Sequence, residues 1–481
     1  MNYKKVLSIL GKVIVIEGVL LLFPLIVAFI YEEVAWTSIL TSSLICITVG
    51  LLLSLIFRTN NQTIYAKEGF LIVAFAWISV SLFGSLPFYI SGEIPNFFDA
   101  FFETVSGFTT TGASILNDIP SISKSLLFWR SFTHWIGGMG VLVFIVALLG
   151  RTSDHSIHIL RAEMTGTSVD KISPKSKDTA KILYYIYISL TMLLTLFLAF
   201  GEMSLYEALV HAFATAGTGG FGIKADSIAS YSNYSQWVIA IFMLIFGINF
   251  NLLYLFIAGK FISAFKNTEF ITYFSIIILS IILVCCNIFP LINNFGDCLR
   301  LSVFQVSSII STTGFSTANF NEWPTLSKSI LLILMIIGGC GGSTAGGFKV
   351  SRIIILFKHG ISRLRQQLRP NSVEVVKLDG KSLDNETIKS VSSYLSIYCL
   401  LAIATFLLVS MFNNFSIETN LSATIACINN VGPGFDQINA MSSYSCYNNF
   451  EKLVLSFAML IGRLEIYPLL LLFIPSTYKK N

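Results

Sequence analysis

Thr110-Thr111-Gly112, Thr218-Gly219-Gly220, Thr312-Thr313-Gly314 and Asn430-Val431-Gly432 are four short motifs that could all serve one chemistry. Their third positions lie 108, 94 and 118 residues apart. Each motif follows a short apolar stretch and sits between two membrane-length hydrophobic segments. Four backbone loops around one axis can replace a cation's water shell with carbonyl oxygens. Glycine suits such a loop because an inward carbonyl often needs dihedral angles that a β-carbon makes costly. One such motif is only a turn, whereas four at near-regular spacing imply a selectivity filter. Thr109, Thr110, Thr111, Thr218, Thr312 and Thr313 add hydroxyls beside that backbone, each with core packing as the plainer alternative.

Two further stretches could control such a pore. Gly338, Gly339, Gly341, Gly342, Gly346 and Gly347 fall in ten residues together with Ser343 and Thr344. Each glycine costs a helix about 1 kcal/mol against alanine, so an unwound loop inside the membrane is expected there. The Walker pattern fails, because Gly347-Phe348-Lys349-Val350 lacks Gly-Lys-Ser/Thr and no strand precedes it. Arg463 lies near the middle of the last apolar stretch, where an arginine must face a partner or a wet cavity. Pairing with Glu465 is its bland reading; a gate with the Gly338–Gly347 loop is the functional one. Asp99, Glu207, Asp297 and Glu418 precede their motif glycines by 13, 13, 17 and 14 residues. They read as helix-capping charges, as a ring that concentrates cations at the mouth, or as both.

The elements that must hold these residues follow from composition. The chain has 481 residues, 54% hydrophobic and 12% charged, against about 25% charged for soluble domains. Ten stretches are long enough to span a bilayer: 7–30, 34–57, 69–92, 125–150, 182–201, 237–259, 270–293, 329–357, 390–412 and 453–475. Four shorter ones, 97–109, 205–217, 300–312 and 419–430, each end at a glycine motif, as re-entrant pore helices would. The expectation is an all-α integral membrane fold of ten spanning helices. Four helix–pore loop–helix units, 69–150, 182–260, 268–357 and 390–475, surround one pore with pseudo-fourfold symmetry, behind an N-terminal two-helix hairpin, 1–57.

Lys and Arg crowd the connections 151–181 and 358–389, including Arg363, Arg365 and Arg369, which places those connections and both termini in the cytoplasm. The net charge of +5 then faces anionic lipid rather than nucleic acid. Eight cysteines without CxxC spacing and five scattered histidines offer neither a metal site nor a disulfide framework. His134 and His211 read as packed residues flanking pore elements. No HExxH, GxSxG or paired intramembrane aspartates point to an enzyme. No GxGxxG after a strand offers a nucleotide site, and residues 7–30 lack a clear signal-peptide cleavage site.

Together these features resemble the Trk/Ktr superfamily of potassium transport proteins, most closely its TrkH/TrkG type. Besides the four loops, the Gly338–Gly347 stretch and Gly462-Arg463-Leu464-Glu465, the resemblance rests on Phe128-Trp129-Arg130-Ser131-Phe132, Trp135-Ile136-Gly137-Gly138-Met139-Gly140 and Arg161-Ala162-Glu163. It implies potassium uptake across the inner membrane, with the ion at Thr111, Gly112, Gly220, Thr313, Gly314, Val431 and Gly432. Sodium-admitting members often carry serine at the position of Gly112, so glycine there implies potassium selectivity; a sodium-permeant or sodium-coupled transporter is the alternative. The resemblance further implies a homodimer, no organic cofactor in this chain, and a cytoplasmic ring of nucleotide-binding, TrkA-like regulatory subunits. His134 stands where the family would have glutamine, outside the filter.

Overall fold

The computed structural model describes residues 3–59, 66–140, 176–370 and 374–475. Among these, six helices are long and apolar enough to cross a membrane, or seven if one sharply bent pair counts as a single span. Three belong to the N-terminal region. Helices α1 (Tyr3–Leu20) and α2 (Leu22–Ile30) run on as one span, α3 (Trp36–Ile56) returns, and α4 (Ala66–Gly84) continues through α5 (Leu86–Ser91). The α1–α3 hairpin closes on two glycines. A β-carbon on Gly11 would lie 2.6 Å from the Gly50 carbonyl oxygen, and one on Gly50 would lie 2.6 Å from that of Gly11. Small residues let two membrane helices approach this closely, and the Ser43 hydroxyl adds a 2.7 Å bond to the Gly18 carbonyl across the seam.

The other long spans are α8 (Ser176–Ala199), α13 (Thr268–Ile292) and α17 (Asn385–Val409). Four short helices follow the first helix of each expected unit: α6 (Phe97–Phe108), α9 (Leu205–Ala216), α14 (Phe295–Ile310) and α18 (Ile417–Ile428). Each begins at a side-chain cap, Asn96, Ser204, Asn294 or Ser416, which accepts from a backbone N–H of its first turn.

The helices that return from the four motifs differ most from the sequence expectation. Helix α7 (Lys124–Gly138) is described as far as the 125–150 stretch reaches residue 140; the rest of it, and Arg161-Ala162-Glu163, lie outside the described residues. The expected span 237–259 is two helices, α10 (Asn233–Phe246) and α11 (Phe250–Ile257), bent by 102°. Gly247 caps the first and the Asn249 side chain caps the second, so two helix-ending signals sit inside one apolar run. The 329–357 stretch divides into α15 (Thr325–Ile337) and α16 (Val350–Leu368) around an irregular loop. The last stretch is helical as α19 (Asn449–Arg463), after which Glu465 and Ile466 turn with positive φ of 54° and 68°. Arg463 therefore stands in the last turn of a helix that ends within the apolar stretch. Short elements complete the chain: α12 (Phe261–Phe265), α20 (Tyr467–Leu470) and a two-stranded hairpin, β1 (Lys377–Leu378) and β2 (Lys381–Ser382).

The hairpin seam gives a direct test. Gly50→Leu is expected to lower stability by about 1–3 kcal/mol through overpacking, read as a fall in melting temperature of the purified protein. Gly360→Ala in α16, where nothing lies within 4 Å of the new β-carbon, leaves melting unchanged or slightly raised.

Candidate functional site

Each short helix ends in the same way. The residue two beyond its last helical position takes a left-handed conformation, with φ of 56° at Thr110, 53° at Thr218, 56° at Thr312 and 55° at Asn430. The next N–H reaches back to the helix: Thr111 to Ser106 O at 2.9 Å, Gly219 to Ala214 O at 2.8 Å, Thr313 to Ser308 O at 2.8 Å and Val431 to Ala426 O at 2.9 Å. The left-handed residue itself donates to Gly107 O, Thr215 O, Ile309 O or Cys427 O. This is the Schellman pairing, usually built on glycine and here on threonine or asparagine. The third motif residue is left-handed again, at φ of 79° for Gly112, 77° for Gly220, 82° for Gly314 and 98° for Gly432.

The four motifs abut one another in order. A β-carbon on Gly112 would come within 3.0 Å of the Gly219 carbonyl oxygen, one on Gly220 of Thr313 O, one on Gly314 of Val431 O, and one on Gly432 of Thr111 O. The succession thus returns to the first motif. All four glycines line a single cavity of about 120 Å³, together with Arg130, Asn117 and Tyr444. The Asn430 amide joins motif four to motif one through a 3.0 Å bond to Thr111 Oγ1. Several hydroxyls pair, Thr109 with Thr111 at 2.8 Å and Ser311 with Thr313 at 2.7 Å, whereas Thr110 Oγ1 is buried with no hydrogen-bond partner among the described residues.

The irregular loop between α15 and α16 packs against the residues that precede the glycines, opposite the cavity. Gly346 N donates to Thr312 Oγ1 at 2.6 Å and Gly347 N to Asn429 O at 3.0 Å. Its other edge fills the bend in the second unit. Cys340 N donates to Gly247 O and Phe250 N to Gly342 O, both at 3.0 Å, and the Thr344 hydroxyl donates to Phe246 O at 3.1 Å. Ser343 turns its hydroxyl inward to Cys340 O. Gly338, Gly342 and Gly347 carry the loop's turns at φ of 71°, 70° and 80°, while Gly339 packs against Ala345 and Gly341 N donates to Glu269 Oε1. Arg463 closes the assembly. Its guanidinium donates to Thr344 O at 2.8 Å and to Gly137 O and Gly138 O at 2.7 Å each, tying the loop to the end of α7. Glu465 pairs with Arg352, not with Arg463.

The acidic residues at the starts of the short helices are engaged. Asp99 binds Lys452 at 2.6 Å, Asp297 binds Arg300 at 2.7 Å and Glu418 binds Lys328 at 3.1 Å. Glu207 forms a capping box with Ser204 and accepts from Tyr231. Their charges are neutralised locally or by helix ends, which weakens a ring of free negative potential. Asp436, in the loop after motif four, accepts from the Ser416 and Thr419 hydroxyls, which hold its carboxyl below the usual aspartate range.

Known proteins can now be set beside this geometry. The TrkH family, described as cation transport proteins, matches residues 35–275 and 271–480. The chain is 33% identical over 489 residues to the Trk system potassium uptake protein TrkH of Escherichia coli K12, covering 100% of each. To the Trk system potassium uptake protein TrkG of the same organism it is 31% identical, covering 96% of each. The crystal structure of the potassium transporter TrkH from Vibrio parahaemolyticus matches with a TM-score of 0.89 at 31% identity, over 100% of both chains. The chain belongs to the TrkH family. It is a helical membrane protein of a family of transporters, not an enzyme.

One feature of this TrkH-family chain was singled out from sequence and another was not. His134, read as a packed residue flanking a pore element and outside the four motifs, is buried and packs directly against motif two. Its ring stands where a β-carbon on Gly219 would fall, and its Nδ1–H donates to Gly107 O at 2.7 Å. The other is a buried ion pair, Arg130 with Glu103 at 2.5 Å. Glu103 also accepts from Ser114 Oγ and Ile115 N, both at 2.9 Å. Arg130 donates to Gly222 O at 2.9 Å, and its guanidinium lies 3.5 Å from the centre of the Phe221 ring. The pair thereby fixes the exits of motifs one and two. An ionisable residue within the short apolar run 97–109 was the available signal. Glu103→Ala strands a buried guanidinium and is expected to destabilise by about 3–5 kcal/mol. Replacing both residues with leucine and methionine is expected to cost less, and thermal unfolding of the two purified variants gives the comparison.

Proposed function

We propose that this chain takes up potassium across the inner membrane through a filter built from Thr110–Gly112, Thr218–Gly220, Thr312–Gly314 and Asn430–Gly432. The observation that carries the reading is the cyclic order in which each motif glycine meets the next motif's carbonyl. A cation on the axis of such a ring meets oxygens from Thr111, Gly219, Thr313 and Val431, which can stand in for its hydration shell. The substrate is taken from the relatives, whose names specify potassium. The same order supports pseudo-fourfold symmetry over units 69–150, 182–260, 268–357 and 390–475. Ten spans and cytoplasmic termini belong to the same proposal and rest on apolar length and on the Lys and Arg of the connections 151–181 and 358–389. Residues 3–57 pack outside that ring.

In this reading the Gly338–Gly347 loop and Arg463 form the gate on the cytoplasmic side of the filter. The guanidinium adds a positive charge to the path, and the loop adds bulk. A homodimer and a cytoplasmic, nucleotide-binding, TrkA-like ring complete the proposal, with the ring supplying the work of opening.

Two experiments test it. Serine at Gly112, Gly220, Gly314 or Gly432 forces a side chain against the next loop, so potassium-over-sodium discrimination is expected to fall, by about tenfold for a displacement worth one hydrogen bond. Uptake in a potassium-requiring bacterium, with protein levels matched, is the measurement; unchanged selectivity in all four variants refutes the filter. Arg463→Ala is expected to raise flux in proteoliposomes holding this chain alone, with selectivity preserved. No rise at equal reconstitution places the gate elsewhere.

A further inference from the structure

One carboxylate holds the irregular loop from within and at its far end. Glu269 Oε1 accepts from Gly341 N at 2.7 Å and from Ser351 N at 3.1 Å. Gly341 is the fourth residue of the loop, and Ser351 is the second residue of α16, where the loop ends. Glu269 is itself the second residue of α13 and is buried, at 8% exposure. Its acceptor is therefore shared by two backbone donors that would otherwise be unsatisfied at this depth.

The preceding residue of α13 is held from the other side. The Asp379 carboxylate accepts from Thr268 N at 2.6 Å and from the Asn267 amide at 2.9 Å. Asn267 is the cap of α13 and accepts in turn from Phe270 N at 3.0 Å. Asp379 and Gly380 form the tip of the β1–β2 hairpin, with φ of 49° and 77°, as an Asp-Gly two-residue turn requires. The hairpin is exposed at Lys377, Asp379, Gly380, Lys381 and Ser382. Its base is anchored to α16 and α17 by the packing of Val376 with Ile355, Ile388 and Val391, and by Lys358 donating to Lys377 O at 2.9 Å.

We propose that Asp379 and Glu269 form a relay by which the exposed hairpin holds the loop shut. The inference rests on the loop being the gate. The hairpin tip fixes the first turn of α13, and the first turn places the carboxylate that ties Gly341 in the loop to Ser351 at the start of α16. A soluble partner that lifts or twists the hairpin removes Asp379 from Thr268. The first turn of α13 then frays, and Glu269 releases Gly341 and Ser351 together. Glu269 and Asp379 are positioning residues in this account; neither contacts the ion.

The test uses the full chain, reconstituted without any partner, and rubidium flux as the readout. Glu269→Ala is expected to raise basal flux about tenfold, the effect of losing a charge-assisted bond. Asp379→Ala raises it in the same direction, and the double variant conducts no faster than Glu269→Ala alone, because members of one relay do not add. Asp379→Asn and Glu269→Gln retain an acceptor oxygen and stay nearer the parent. Potassium-over-sodium selectivity stays at the parent value throughout. Glu269→Ala lowers the melting temperature, because two buried donors lose their acceptor, whereas Asp379→Ala, at an exposed position, keeps it, so a raised flux in Asp379→Ala is not explained by general loosening of the fold. Parent-level flux in Asp379→Ala, or a double variant equal to the product of the singles, overturns the relay. If Arg463→Ala raises flux while Glu269→Ala does not, the gate stands and the relay fails. If neither variant raises flux, both fail.

Discussion

Backbone that leaves the helical conformation where water is excluded must find every hydrogen-bond partner within the protein. Much of what is unusual in this chain answers that requirement. The motifs satisfy it locally, by turning the end of each short helix back on itself at Thr110, Thr218, Thr312 and Asn430. The loop between α15 and α16 is too long for a local solution and borrows from every side. Gly247 and Phe250 serve it from the bend in the second unit, Thr312 from motif three, Asn429 from the residue before motif four, and Glu269 from α13. Arg463 then takes up carbonyls of Thr344, Gly137 and Gly138, the loop and the end of α7 sharing one guanidinium. An arginine is suited to this task because its fork of donors serves several acceptors at once.

The same requirement explains why the chain bends at residues 247–249. A straight helix there would satisfy its own backbone and leave Cys340 N and Gly342 O without partners. Interrupting it at Gly247 exposes one carbonyl and one N–H, and the loop takes both. Two irregular segments that would each be costly alone are mutually satisfying, so the break in one is the condition for the other.

What the sequence made legible follows the same division. Periodicity and apolar length revealed the long helices, and glycine density revealed the loop, because both are local properties. The four motifs were legible as a set, since short helices ending at threonine or asparagine recur. The bend was hidden because Phe246 through Phe250 read as one apolar run, although Gly247 and Asn249 carried cap signals. The partners of His134, and Glu103 itself, were hidden for a different reason. The partners of the two residues, Gly107 with Gly219 and Arg130 with Ser114, are distant in sequence or separated by a turn, and only the packed ring of motifs brings them together. Arg463 was legible by its charge, but the end of its helix was not, because hydropathy continues past it while the helix does not.

In the proposed reading of the motifs as filter and the loop as gate, the same constraint lets the two act separately. The loop bonds to Thr312 in motif three and to Asn429 just before motif four, whereas motifs one and two have no such bond to it among the described residues. Moving the loop releases a side-chain acceptor on a left-handed residue in one motif and a backbone carbonyl at the end of the neighbouring short helix. Each group left dry would cost about 1–3 kcal/mol, whereas a group rewetted costs far less. Water must therefore follow the loop as it leaves, so opening and hydration of the space beneath the ring are one event. The Schellman bonds at Thr312 and Asn430 run back into their own helices and do not involve the loop. They allow the ring to keep its shape while the loop departs, which separates selectivity from opening even though the two structures touch.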